Sequence, residues 1–313
     1  MQKKIIQILA VVVLVLLLWS GGKLEEKKYI TDVYQETIQI PGITGEYTFL
    51  FAADTHFTAV DEEDTDQIKE NALARSGGFV NGNGFSSMAQ FPYLIERANR
   101  KKYDALLLGG DIIDFPTKAN IDFLDKNLAK LRIPYLYTLG NHDFTFPWEY
   151  FTEKSYDEYL PMLKSFVPKQ DGWSILELDE FLILSVDNST DQFNKKALDG
   201  LNEAFGKNKP VIVLLHVPLE PKENDTLLKK TIEVWGEGKN GRSKVLLGSN
   251  GKRPNEDSTK FMEKMFEKDS PVAAILTGHI HFYHKDNLEH NVVQIITDAS
   301  YKGAVMEITI KGQ

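Results

Sequence analysis

Leu108-Gly109-Gly110-Asp111-Ile112-Ile113-Asp114 decides how this chain is read. An apolar run from Ala105 to Leu108 stops at two glycines and a carboxylate. A strand that is apolar on both faces belongs to a sheet covered on both sides. Glycines at its end let the backbone turn and let other groups come close. The stretch therefore predicts a buried strand that delivers Asp111 to the edge of a sheet.

Four more apolar runs end the same way. Tyr47 to Ala53 runs into Asp54-Thr55-His56, and Tyr135 to Leu139 into Gly140-Asn141-His142-Asp143. Val211 to Leu215 ends at His216, and Val272 to Thr277 at Gly278-His279-Ile280-His281. Polar residues at the carboxyl ends of buried strands are where an α/β sheet places its site. A single histidine after an apolar run is an ordinary core residue. These endings, however, use five of the seven histidines in the chain. The other two, His284 and His290, stand in polar surroundings and are expected at the surface.

Composition narrows the chemistry. The 313 residues are 42% hydrophobic and 26% charged, enough for a sizeable core. The net charge of -9 argues against general nucleic-acid binding. With no cysteine, disulfides, thiolate metal sites and cysteine nucleophiles are excluded, and a metal must sit on His, Asp, Glu or Asn.

The ordered set D-x-H, G-D-x-x-D, G-N-H-D, strand-terminal His and G-H-x-H resembles the calcineurin-like metallophosphoesterase superfamily, from about Tyr47 to Ile310. The resemblance implies a four-layer α/β/β/α sandwich of two mixed β-sheets, in keeping with the alternating strands and helices. It implies two divalent metal ions, with Mn²⁺, Fe, Zn²⁺ and Ni²⁺ all compatible with mixed N/O ligands. Residue by residue, Asp54, His56 and His281 look like ligands of the first ion. Asn141, His216 and His279 look like ligands of the second, with Asp111 as the bridge. His142 looks like the catalytic group at the leaving oxygen, and Asp114 like the carboxylate that orients it, a task Asp143 is expected to share.

The implied reaction is hydrolysis of a phosphodiester, phosphomonoester or pyrophosphate by a metal-bridged hydroxide. The alternative is a non-catalytic membrane-tethered scaffold that keeps the fold. One departure stands out. The phosphoprotein phosphatases of this superfamily carry an arginine directly after the G-D-x-x-D carboxylate, where this chain has Phe115. That residue and the G-H-x-H ending count against a protein Ser/Thr phosphatase, and the ending resembles the phosphodiesterase-like branch.

Outside these motifs the chain reads as follows. Lys3 and Lys4 precede an apolar run from Ile5 to Trp19, so residues 1–22 are expected to be a signal anchor or a signal peptide. The domain would then be extracytoplasmic: membrane-anchored, or secreted if the segment is cleaved. Its partners would be the membrane and a phosphorylated small-molecule, lipid or envelope substrate. Residues 23–40 read as a linker and lead strand, and 41–313 as the catalytic domain.

Residues 61–84 are acidic, then glycine-rich, and read as a loop, either a plain surface segment or a lid. Helices are expected from a Ser87 cap to Lys101, and over 119–131, 156–166, 193–205 and 257–268. Trp173–Leu178 and Phe181–Val186 should form a hairpin, with final strands over 292–296 and 304–310. The aromatic group Phe144, Phe146, Trp148, Tyr150 and Phe151 is expected mostly in the core. Gly236 to Gly241 spells G-x-G-x-x-G, but no strand precedes it and no helix is signalled after it, so it is not read as a dinucleotide site. Lys239, Arg242, Lys244, Lys252 and Arg253 give that region a basic character suited either to a solvated loop or to a phosphate-attracting rim.

Overall fold

A computed structural model of the chain describes residues 25–149, 153–167, 172–237 and 253–313. The N-terminal apolar segment, Tyr150 and Phe151, and most of the glycine-rich basic stretch lie outside these residues. Among the described residues, no helix is long and apolar enough to cross a membrane.

Eleven strands form two mixed sheets in the described residues. The first has five strands: β1 (Asp32–Gln39), β2 (Glu46–Ala52), β3 (Ala105–Leu108), β4 (Tyr135–Tyr137) and β11 (Ala304–Lys311). Their order is β1-β11-β2-β3-β4. The second holds β5 (Trp173–Glu177), β6 (Leu182–Val186), β7 (Val211–Leu214), β8 (Val272–Thr277), β9 (His284–Asn287) and β10 (Val293–Ile296), in the order β5-β6-β7-β8-β10-β9. β5 and β6 are the expected antiparallel hairpin. β2, β3 and β4 are parallel, as are β6, β7 and β8.

The alternation of strand side chains builds the layers. Phe49, Phe51, Ala105 and Leu107 point inward, against Ile183, Ile212, Leu214, Ala274 and Leu276 of the other sheet. Their sequence neighbours Leu50, Ala52, Leu106 and Leu108 face outward onto α2 (Ser87–Lys101) and α3 (Lys118–Leu128), through Phe91, Leu94, Ile95 and Leu124. On the far side, Leu182, Leu184, Val211 and Val213 meet α5 (Lys195–Gly206) and α7 (Glu256–Met265), through Leu201, Phe261 and Met265. The result is the four-layer α/β/β/α arrangement.

Several local expectations are corrected. Residues 61–84 contain a helix, α1 (Asp66–Ser76), capped by Thr65. The cap of α2 is Ser86, whose hydroxyl accepts from the Ala89 amide, while Ser87 is already in the helix and buried. The expected helix over 156–166 is α4 (Glu153–Tyr159) followed by one 3₁₀ turn, Leu160–Leu163. α6 (Thr226–Trp235) and β9 had no counterpart in the sequence reading. His284 is not a plain surface residue: it is half-buried in β9 and bonded to Asp286, whereas His290 is exposed. β1 is tied along its full length to β11, so the lead strand is the edge of the first sheet.

Candidate metal centre

The site lies where the carboxyl ends of both sheets meet. β2 ends at Asp54 and His56, β3 at Asp111, and the turn after β4 carries Asn141 and His142. β7 contributes His216, and β8 contributes His279 and His281. Each parallel strand thus leaves its last polar residues at one edge.

The backbone there is unusual. Asp54, His56, Asp111, His279 and His281 all have positive φ, between 51° and 74°. For residues with a Cβ this costs about 1 kcal/mol or more each. The surrounding core holds them there, and the left-handed turn swings each side chain off its strand and over the sheet edge. Gly110 and Gly140 make the crowding possible. A Cβ on Gly110, itself at φ +86°, would lie 2.6 Å from His216 Nδ1, and one on Gly140 would lie 2.2 Å from the Asp111 amide.

The expected ligands converge in two sets that share one carboxylate. Asp54, His56, Asp111 and His281 each bring a donor atom within 4.8 Å of the others, and so do Asp111, His216 and His279. Asp111 Oδ2 lies 3.2 Å from His216 Nε2 and 3.8 Å from His56 Nε2, between the two groups. Its Oδ1 accepts the His142 amide at 2.8 Å. Both oxygens of Asp54 accept the His279 amide, and Asp54 Oδ1 is 3.3 Å from His281 Nε2.

Hydrogen bonding shows that this donor set fits cations. His216 Nδ1 donates to the Gly109 carbonyl at 2.8 Å, which leaves the Nε2 lone pair facing Asp111 Oδ2 and His279 Nδ1, the latter at 3.2 Å. His56 Nδ1 donates to Asp114 Oδ1 at 3.0 Å, so its Nε2 lone pair faces His281 Nε2 at 3.2 Å. Imidazole nitrogens that face one another and carboxylates at these distances hold either a proton or a cation between them. Asn141 Oδ1 is buried with no hydrogen-bond partner among the described residues, as suits a metal-ligating amide oxygen.

The titration of these groups agrees. Burial opposes a charge on His216, but Asp111 outweighs it and raises its pKa to about 9. Burial would likewise raise Asp111, yet His216, His142 and His56 hold it well below the usual carboxylate range. Burial lowers His56, and the uncompensated charge of Asp111 that raises His216 is what bound cations would neutralise.

Asp114 is fully buried and collects three partners. Its Oδ1 accepts from His56 Nδ1 and lies 3.1 Å from His142 Nδ1. Arg75, from α1, binds both oxygens: Nε to Oδ2, and Nη2 to Oδ1 at 2.8 Å. Burial alone would raise the Asp114 carboxyl, but these donors push it far below its ordinary value. For His142, burial opposes protonation, while Asp111 and Asp114 raise its pKa above the ordinary value. Its side chain is 25% exposed, against 0–11% for His56, His216 and His281.

Asp143 does not share the orienting task. Its Oδ1 accepts the amides of Ile112 and Ile113 at 2.9 and 3.1 Å, and its Oδ2 those of Asp111 and Gly140 at 3.1 and 2.7 Å. It ties the turn that carries Asp111 to the turn that carries Asn141. Burial, then repulsion from Asp111, lift its carboxyl to about 7.

Sequence reasoning also missed Arg75, Phe79 and Tyr301. The Phe79 ring stacks on His56, centroids 4.6 Å apart and planes within 6°. Tyr301 meets the edges of Phe79 and His281, each at 5.3 Å. The signal for Arg75 was present in the Thr65-Asp66 helix start, a cap followed by an acidic first turn. Of the basic stretch, only Arg253 lies among the described residues.

The family model for calcineurin-like phosphoesterases matches residues 47–283. The chain belongs to this family. Solved structures similar to it include a dimetal phosphatase from Danio rerio, at 12% identity and a TM-score of 0.47, covering 82% of this chain and 88% of that one. A phosphopantetheinyl hydrolase from Mycobacterium tuberculosis is also 12% identical, with a TM-score of 0.41, over 83% of this chain and 92% of that one. A purple acid phosphatase from yellow lupin, Lupinus luteus, is 15% identical with a TM-score of 0.47, over 87% of this chain and 45% of that one. A search of curated proteins finds no match.

Proposed function

We propose that this phosphoesterase-family protein is a dinuclear metal-dependent hydrolase of phosphodiesters, phosphomonoesters or pyrophosphates. The observation that carries the reading is the pair of ligand sets joined at Asp111, with His142 beside them and in reach of solvent. Asp54, His56 and His281 would hold one ion, Asn141, His216 and His279 the other, and Asp111 both. When bound, the two ions supply acidification of a water and neutralisation of charge on the phosphoryl oxygens.

The protein's own residues do the rest. His142 Nδ1 donates to the Asp114 main-chain carbonyl at 3.3 Å and lies 3.1 Å from its Oδ1, which leaves His142 Nε2 to carry the catalytic proton. Water supplies the incoming oxygen. The leaving oxygen takes the electron pair of the broken P–O bond and the proton from His142 Nε2. The proton released by the water restores His142. Arg75 and Phe79 wall this side of the site.

We further propose that the Ile5–Trp19 run tethers the protein to a membrane with the catalytic domain outside the cytoplasm. A phosphorylated lipid, an envelope component or a small molecule would then be the substrate. What supports this is the sequence of that run and the lysines before it.

The test is to assay the full chain in detergent with Mn²⁺ on an aryl phosphodiester and the matching monoester, with bound metal measured beside it. Turnover of either ester, with close to two ions per chain, is the expected result. Silence on both, without bound metal, would refute the hydrolase reading and leave the scaffold. Protease treatment of intact cells checks the topology, which fails if the domain is protected.

A further inference from the structure

Helix α1 lies between β2 and α2, and its only buried residue is Ala72. Ala72 packs with Phe115 and Phe146, which sets the helix beside residues 114–115. Arg75, one turn on from Ala72, therefore reaches Asp114 from the same face. Its guanidinium takes both carboxylate oxygens in the two-pronged geometry that fixes the plane of a carboxylate. Phe79 lies 5.5 Å from the guanidinium carbon and stacks on His56, bracing both.

Asp114 Oδ1 faces His56 Nδ1 at 3.0 Å and His142 Nδ1 at 3.1 Å, while the Asp114 main-chain carbonyl takes the same His142 Nδ1 at 3.3 Å, so the carboxylate sets the ring together with that carbonyl. Among the described residues, Oδ2 bonds to Arg75 alone. The terminal torsion of an aspartate is broad and soft, so two histidines sharing one oxygen do not by themselves fix the carboxylate plane.

We propose that Arg75 is a positioning residue for the reaction. By locking the plane of Asp114 it keeps the His142 ring turned so that Nε2 meets the leaving oxygen. The proposal rests on the hydrolase reading above. It makes α1, which stands where the sequence suggests only a loop, part of the catalytic apparatus, acting through two intermediate side chains rather than by touching substrate. Position is what Arg75 supplies here, and a lysine could not replace it, because an ammonium is a point charge without the planar fork.

The experiment compares the full-length wild type with Arg75→Gln and Arg75→Lys on Mn²⁺-loaded protein. Two esters are used, a 4-nitrophenyl ester with a good leaving group and an alkyl ester with a poor one. Bound metal and the thermal midpoint are measured for each variant. Arg75→Gln should keep both ions and keep KM within about threefold. Its kcat should fall about 10- to 100-fold on the alkyl ester and only a few-fold on the nitrophenyl ester, because a good leaving group barely needs the proton. Arg75→Lys should regain thermal stability but show the same leaving-group dependence. Equal losses on both esters, or losses that track metal content, would overturn the proposal while leaving the hydrolase reading intact. A wild type inactive on both esters would overturn that reading, and the proposal with it.

Discussion

Replacing Asp143 tests whether its carboxylate ties the turn that carries Asp111 to the turn that carries Asn141. Asp143→Asn preserves shape but leaves one acceptor oxygen where there were two. In either orientation of the amide, one pair of N–H groups faces an NH₂: Asp111 and Gly140, or Ile112 and Ile113. The residue is fully buried, so water offers no ready substitute. Two lost hydrogen bonds to a charged acceptor amount to roughly 3–6 kcal/mol. The raised pKa of Asp143 shows that burying its charge is itself unfavourable, and Asn relieves that. The relief offsets much of the loss, so the expected net destabilisation is at most about 2 kcal/mol. It should be read by urea unfolding of chelator-treated protein, since bound metal would add its own stabilisation. Because the affected amides flank Asp111 and Asn141, metal affinity should also fall, about 10- to 100-fold. A change under about 0.5 kcal/mol, together with wild-type metal affinity, would refute the account of Asp143 as the tie between the two turns.

Three further outcomes are expected. Asp111→Asn should bring metal content well below two ions per chain in elemental analysis, because the bridge loses its charge; full occupancy would contradict the shared-ligand reading. Gly140→Ala should destabilise by about 1–3 kcal/mol in thermal unfolding, because its Cβ would sit 2.2 Å from the Asp111 amide; an unchanged midpoint would contradict that packing. Glu307 links Arg97, Lys101 and Tyr103, and although burial works the other way, these partners bring its carboxyl down to about 2. Its contribution is therefore full above about pH 4.5 and is lost as the pH falls toward 2, amounting to about 1–2 kcal/mol once solvent screening is allowed for. Glu307→Gln should flatten acid unfolding over that window, and an unaltered acid limb would remove the role.

The part of this fold that is legible from residue order alone rests on strong local signals. Apolar runs ending in D-x-H, G-D-x-x-D, G-N-H-D and G-H-x-H are buried strands with polar ends, and the fold gathers those ends at one edge. The strands and the larger amphipathic helices were legible because each buries a periodic apolar face. The missed elements lack that face. α1 buries only Ala72, α6 buries only Leu227 and Thr231, and β9 is the polar sequence His-Lys-Asp-Asn, a strand only because β10 pairs with it. The roles of Asp143 and Arg75 are of the same kind. Asp143 sits next to His142 in sequence, yet its carboxylate is taken up by four amides from two turns. Arg75 stands 39 residues from Asp114 and meets it only because Ala72 docks its helix on Phe115 and Phe146. Local periodicity carries information about which residues leave a strand or helix face. Which carboxylate meets which cation is fixed by contacts between distant segments, and these exist only once the layers have packed.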